Sequence, residues 1–342
     1  MDGVAQNPLT IVWAVALGVI PVLLLLGGLQ VMDSYRLVSS SAISRSLGAG
    51  AVAAALAFAA NSWFLDHGVD PTTLRRYLAP VIEEILKVAW VVLLIRSHRV
   101  GFLVDAGVHG FAAGTGFAVV ENVYYAWALG SSGLAFWLVR GLGTAVLHGT
   151  TTAIVAIVSQ GLSERRAAPG ALAFVPGLAI SVAIHSLYNH LLFNPLLATS
   201  TILIVTPLLL VAVYERSERA MRAWLGVGLD SDVERLELIL SGEVGGSHIG
   251  EYLDSLRHRF EGPILADMLC LLQIHLELSI RAKGTLIARA AGLDLPVDED
   301  VRARLEELRY LEGAIGRTGQ LAMLPLLHTR TRDLWQVYVL SR

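Results

Sequence analysis

The chain has 342 residues, 54% of them hydrophobic and 16% charged, with a mean hydropathy of +0.60. That lies well to the apolar side of a water-soluble domain and marks an integral membrane protein. A net charge of −3 offers no basic excess for nucleic acid, and one cysteine, Cys270, excludes an intrachain disulfide or a cysteine-based metal cluster.

Charge is unevenly placed: residues 214–342 carry 20 of the 29 acidic and 16 of the 26 basic residues. The break predicts a membrane-embedded domain over 1–213 and a soluble helical domain over 214–342. The start, MDGVAQNP, has no Lys or Arg, and the apolar run from Leu9 to Met32 exceeds a signal core, so it is expected to be a retained first span. Apolar runs of about 18 or more residues give seven spans, near 9–31, 43–64, 77–95, 102–128, 134–160, 171–193 and 196–213. The second, rich in Ala and Gly, is the weakest and leaves a half-spanning segment open. The expected fold class is all-α: a polytopic membrane helix bundle of about seven spans with a C-terminal soluble helical domain.

Arginine placement sets an expected orientation. With the N-terminus outside, the inner segments carry Arg36, Arg45, Arg96, Arg99, Arg165 and Arg166, and then Arg216, Arg219 and Arg222; the outer ones carry only Arg75, Arg76 and Arg140. This bias places the C-terminal domain in the cytoplasm and the chain as a multi-pass protein of the plasma membrane. At about 1.5 Å per residue, Glu83 and Glu84 then fall about two turns inside the outer end of the third span. Glu121 and His185 reach a similar depth on their own spans, and His148 lies nearer the middle.

The run VIEEILK puts two carboxylates and an ammonium into an apolar stretch, where charge is costly and usually marks a protein interior, a wet cavity or function. Lys87 is one of only two lysines and sits at i+4 from Glu83 and i+3 from Glu84, so it can neutralise part of the pair. In GFAVVENVYYAW, Glu121 shares a helix face with Phe117 and Tyr125, and Gly110 and Gly114 just before it are spaced to let another helix approach closely. His148 follows Arg140 by two turns and precedes three threonines; His185 has Asn189 at i+4. His109, nearer the inner end of the fourth span, reads as a packing or gating residue. A lone histidine in an apolar helix is more often structural than a ligand. The force of the pattern lies in its recurrence on four consecutive helices. Carboxylates with imidazoles suit a divalent metal of the zinc type, and they equally suit a metal-free site in which Glu or His activates water and Asn189 steadies an oxyanion. Both imply water attack on a carbonyl.

In motif order the chain resembles the PrsW-type intramembrane proteases, which are related to the CAAX-processing and bacteriocin-processing membrane proteases. The matching motifs are Glu83-Glu84-x-x-Lys87, Phe117-x-x-x-Glu121-Asn122, His148-Gly149 and His185-x-x-Tyr188-Asn189, with the Asp105 to Gly110 stretch also fitting, over about residues 75–195. The resemblance implies an intramembrane endopeptidase, of metallo or glutamate type, acting on a membrane-anchored protein in the lipid bilayer. The best-known use of the family is first-site cleavage of an anti-sigma factor. The catalytic residues it implies are Glu83, Glu84, Glu121, His148, His185 and Asn189, with Glu83 or Glu84 activating water and Glu121 and Asn189 positioning the rest; Lys87 and Asn122 support them, and Arg140, two turns before His148, is expected to do so as well. The expected metal ligands are Glu84, Glu121, His148 and His185, with zinc the expected ion.

Two other classes compete. A proton- or cation-coupled transporter would also use intramembrane Glu/His relays, but it should carry a polar path to the inner face, and apart from Asp105 and His109 that half is apolar. A non-catalytic scaffold would act through residues 214–342, whose amphipathic helices suit a regulatory partner. There, Val301, Leu305, Leu308 and Leu311 fall at helical spacing and predict one buried face.

Overall fold

The computed structural model describes residues 8–129, 132–164, 170–293, 299–327, 335–336 and 340. Arg165 and Arg166, two of the arginines expected on the inner side, and residues 1–7 lie outside the described residues. Every regular element among the described residues is helical. The chain divides into two compact units, one of residues 1–163 and 168–217, the other of residues 164–167 and 218–342.

The first unit holds α1 (Pro8–Met32), α2 (Ser40–Asp66), α3 (Ala79–Arg96), α4 (Leu103–Leu129), α5 (Ala145–Ser163), α6 (Val175–Asn189) and the first part of α7 (Pro195–Leu240). Two five- to six-residue π-helical turns lead into the helices that matter most: Leu74–Leu78 before α3 and Val139–Thr144 before α5. Such widened turns rotate the helix after them relative to the segment before them, and they recur at functional sites.

Helix α4 is the centre of this unit, buried on all sides from Asp105 to Ala118. It begins where the Asp105 carboxylate accepts from the Gly101 and Phe102 amides at 2.9 and 2.8 Å, which ties the preceding loop to its first turn. Small residues allow the packing. A Cβ at Gly114 would overlap the carbonyl of His148, and one at Gly110 would lie 2.7 Å from the Thr152 carbonyl oxygen, so α5 meets α4 backbone to backbone. On the opposite side, a Cβ at Gly50 would overlap the Ala113 carbonyl, and one at Gly116 the Leu47 carbonyl. The Ala/Gly composition that weakened the second span as a hydropathy signal is thus what lets α2 pack on α4. The segment is one helix of 27 residues. His109 is a packing residue: its Nδ1 pairs with the Ser46 hydroxyl at 2.9 Å, which also accepts from Trp90 Nε1.

Among the described residues, seven helices are long and apolar enough to cross a membrane, but their membership differs from the expected set. Helix α3 drops out because Glu83, Glu84, Lys87 and Arg96 exceed what an apolar window tolerates, and Gly262–Ala290 enters. That helix belongs to the second unit.

The second unit comprises the remainder of α7 with α8 (His248–Ser255), α9 (Gly262–Ala290) and α10 (Glu299–Leu327). The apolar stripe of α9, which includes Met268, Leu271, Leu272 and Leu278, is covered by the stripe Val301, Leu305, Leu308, Leu311 of α10, all buried in one cluster. Packing thus buries one face of α9. Helix α10 kinks at Gly316 (φ 64°, ψ 177°), a conformation that only glycine adopts without strain.

Candidate active site

Glu83 and Glu84 are neighbours on α3, and successive residues of a helix point about 100° apart. The fold uses this divergence. Glu84 is completely buried, its Oε1 accepting from Lys87 Nζ at 2.6 Å, His185 Nδ1 at 2.8 Å and the Thr151 hydroxyl at 3.2 Å, while Oε2 accepts from the Ser181 hydroxyl at 2.6 Å. Three helices, α3, α5 and α6, thereby close on one carboxylate. Glu83 faces the other way, with Oε1 3.3 Å from Asn61 Nδ2 of α2 and Oε2 3.8 Å from His185 Nε2. His185 therefore stands between the two acids, with Nδ1–H on Glu84 and Nε2 toward Glu83.

His148 joins from α5. Its Nδ1 lies 3.2 Å from Lys87 Nζ and its Nε2 3.0 Å from Glu121 Oε2, while its ring packs on Phe117 at 4.9 Å and meets the His185 ring edge-on at 4.9 Å. The face of α4 read from the spacing Phe117, Glu121, Tyr125 is thus the face that lines this centre. Phe117 also underlies Lys87, and the Arg140 guanidinium lies over Tyr125 at 3.9 Å. Arg140 comes from the π-helical turn before α5. Its Nη2 lies 3.0 Å from Glu121 Oε2 and its Nε donates to Asn122 Oδ1 at 2.9 Å; Asn122 in turn donates to the Gly18 carbonyl of α1 at 2.7 Å. Asn122 and Arg140 are thus tied to each other, and Arg140 reaches the centre through Glu121.

The structure brings Glu83, Glu84, Lys87, Glu121, His148 and His185 into one continuous polar network. Asn189 stands apart: its amide donates to the Arg75 carbonyl at 3.0 Å, where α6 ends, alongside a Ser186 hydroxyl bond to the Arg76 carbonyl at 2.6 Å. It latches α6 to the turn before α3. The expected metal set of Glu84, Glu121, His148 and His185 does not converge as such, because Glu84 is held on both oxygens by protein donors and Glu121 is shared between Arg140 and His148. Among the described residues, Glu83, His148 and His185, all buried, form a group whose donor atoms lie within 4.8 Å of one another. One carboxylate and two imidazoles make a donor set that fits a divalent ion of borderline softness, and Glu84 on the far nitrogen of His185 is the outer partner such ligands use. Sequence reasoning missed Ser181, Thr151 and Asn61. The first two had a signal, since Ser181 is four residues before His185 and Thr151 three after His148, each on its histidine's face.

Helices suited to a bilayer that enclose a buried centre of carboxylates and imidazoles define a polytopic membrane protein with a polar site inside its helix bundle. The family model described as PrsW family intramembrane metalloprotease matches residues 34–214, more than half of the chain. The chain belongs to that family, and it is accordingly a membrane-embedded protease. No curated protein and no solved structure matches it.

Proposed function

We propose that the chain is an endopeptidase that hydrolyses a peptide bond of a membrane-anchored protein, with a divalent metal, zinc by its donor chemistry, held by Glu83, His148 and His185. The observation that supports this most is the mutual approach of those three side chains, delivered by α3, α5 and α6 to a buried centre. When bound, such an ion supplies a Lewis acid that polarises a carbonyl and acidifies water. His148 has partners on both nitrogens, so its service as a ligand requires Lys87 or Glu121 to let go of one of them.

The remaining roles depend on which oxygens are committed. A general base needs an oxygen within reach and unspoken for. Glu84 has none, so it holds His185 in the Nδ1–H tautomer. Glu121 keeps Oε1 without a hydrogen bond among the described residues, while Arg140 and His148 fix its Oε2. Glu121 thus takes the proton of the attacking water and returns it to the leaving amine. Asn189, tied to Arg75, serves the helix ends and not the oxyanion. We place residues 1–213 in a plasma membrane with the N-terminus outside, and residues 214–342 in the cytoplasm as a helical unit that receives a regulatory partner. Anti-sigma-factor-like proteins cut at a first site are the substrate class to examine first.

The test compares membrane-protein N-termini in cells carrying the wild-type chain with those carrying Glu121→Gln or Glu83→Gln. New N-termini within or beside single spans should be present with the wild-type chain and fall by about 10²-fold or more with Glu121→Gln, the scale of a lost general base. Purified Glu121→Gln should still hold zinc, and Glu83→Gln should not. Equal cleavage by the wild-type and both variant chains overturns the proposal.

A further inference from the structure

We infer that Ser181 is a positioning residue of this centre, setting metal affinity through Glu84 and His185; the inference rests on the metal-holding role proposed above for Glu83, His148 and His185. Ser181 is completely buried on α6, one turn before His185 and on the same face. Close packing puts it there: a Cβ at Gly177, a further turn back, would lie 3.0 Å from the backbone of Val155, so α6 is pressed onto α5. A serine inside a helix commonly returns its hydroxyl to the carbonyl four residues earlier. Ser181 instead sends it across to Glu84 Oε2 at 2.6 Å.

The two oxygens of Glu84 are unequally held. Oε1 has three donors, Lys87, Thr151 and His185, whereas Ser181 is the sole donor to Oε2 among the described residues. The terminal torsion of a glutamate is broad and soft, so the plane of the carboxylate is fixed only when both oxygens are anchored. Without Ser181, Oε2 is buried and unpartnered. The carboxylate then gains by turning about that torsion to bring Oε2 to Lys87 Nζ, which carries Oε1 off His185 Nδ1. That contact is what keeps the Nε2 lone pair of His185 directed toward Glu83, 3.8 Å away. Outer partners that orient a ligand histidine are typically worth about 10- to 100-fold in metal affinity. Ser181 supplies its donor without adding charge, so the balance of Glu84 against Lys87 is untouched.

The experiment measures Zn²⁺ affinity of the purified full chain in detergent by competition with a chromophoric chelator, together with the thermal midpoint of the metal-free protein. Ser181→Ala should weaken Zn²⁺ binding by about 10- to 100-fold, and Ser181→Thr, which restores the hydroxyl, should recover it. Wild-type affinity in Ser181→Ala overturns the inference. So does a loss that Ser181→Thr shares and that tracks a lowered metal-free midpoint, since the role would then be structural alone. Should Ser181→Ala fail to fold, Ser181→Cys replaces it: a thiol donates weakly, so its Zn²⁺ affinity should fall below that of wild type, and wild-type affinity again overturns the inference. Glu83→Gln separates this from the larger reading. Zinc bound by Glu83→Gln as tightly as by wild type, or not bound by wild type at all, removes the metal-holding role and the inference with it, whereas a normal wild type and a weak Glu83→Gln leave Ser181 judged on its own variants.

Discussion

At the scale of single residues, the Glu84–Lys87 pair decides how the centre is built. Both side chains are inaccessible, and the 2.6 Å contact between them lies within helix α3. Removing one partner of a buried pair strands the other charge, which typically costs about 3–5 kcal/mol, whereas replacing both with apolar residues of similar volume is often neutral. Lys87→Met should therefore lower the thermal midpoint of the purified chain sharply, and adding Glu84→Leu should recover much of that loss. The double variant should nonetheless bind zinc poorly, because His185 then has no acceptor for Nδ1–H. A double variant no more stable than Lys87→Met would show that the pair is not the issue. The i,i+3 spacing of Glu84 and Lys87 made this pairing legible in the sequence. The direction of Glu83 was not, since it depends on Asn61 of α2, far away in the chain. The contact of Asn189 was not legible for a related reason: i+4 spacing puts it near the face of His185, but it is the last residue of α6, where its amide meets the Arg75 carbonyl.

At the scale of elements, glycines set how close the helices that carry the centre come. Gly114 is the point where α4 touches the backbone of α5 at His148, the residue that must reach both Lys87 and Glu121. Gly114→Ala forces the two helices apart, and overpacking of this kind costs about 1–3 kcal/mol. Because the displaced residue is His148, zinc affinity should fall along with stability. Gly48→Ala is the control: a Cβ there meets nothing within 4 Å, and a helical Gly→Ala change favours the helix slightly. Equal effects of the two substitutions on zinc affinity would count against Gly114 as the spacer. The Gly110/Gly114 pair was readable from its four-residue spacing. The π-helical turn Val139–Thr144 was not, because no residue type marks a widened turn, and Arg140 reaches Glu121 from within it. Hydropathy alone does not separate α3 from α9: Glu84 and Lys87 of α3 are paired inside the protein, and part of the apolar face of α9 is buried against α10.

At the scale of the whole molecule, composition changes near Tyr214, yet helix α7 continues unbroken from Pro195 to Leu240 through that change, and the compact units divide between Ser217 and Glu218. Helical hydrogen bonding is indifferent to whether side chains are apolar or charged, so a change of surroundings need not interrupt the backbone. The proposed orientation makes a definite statement about sidedness. The single native cysteine, Cys270, is exposed in the second unit and should be shielded from a membrane-impermeant maleimide in intact cells, reacting only after the membrane is opened. In a Cys270→Ser background, Asp66→Cys at the end of α2 should react in intact cells, and Ser97→Cys just after α3 should react only after opening. Both positions are exposed, so a lack of reaction reports the membrane and not burial. Labelling of Ser97→Cys but not Asp66→Cys in intact cells would invert the orientation and move the centre from the outer to the inner half of the bilayer. The substrate's cleavage point would then move with it. Labelling of both from outside would show that α3, with its four charged residues, does not cross the membrane. Glu83 and Glu84 would then reach His148 and His185 from a helix seated at the surface of the bundle.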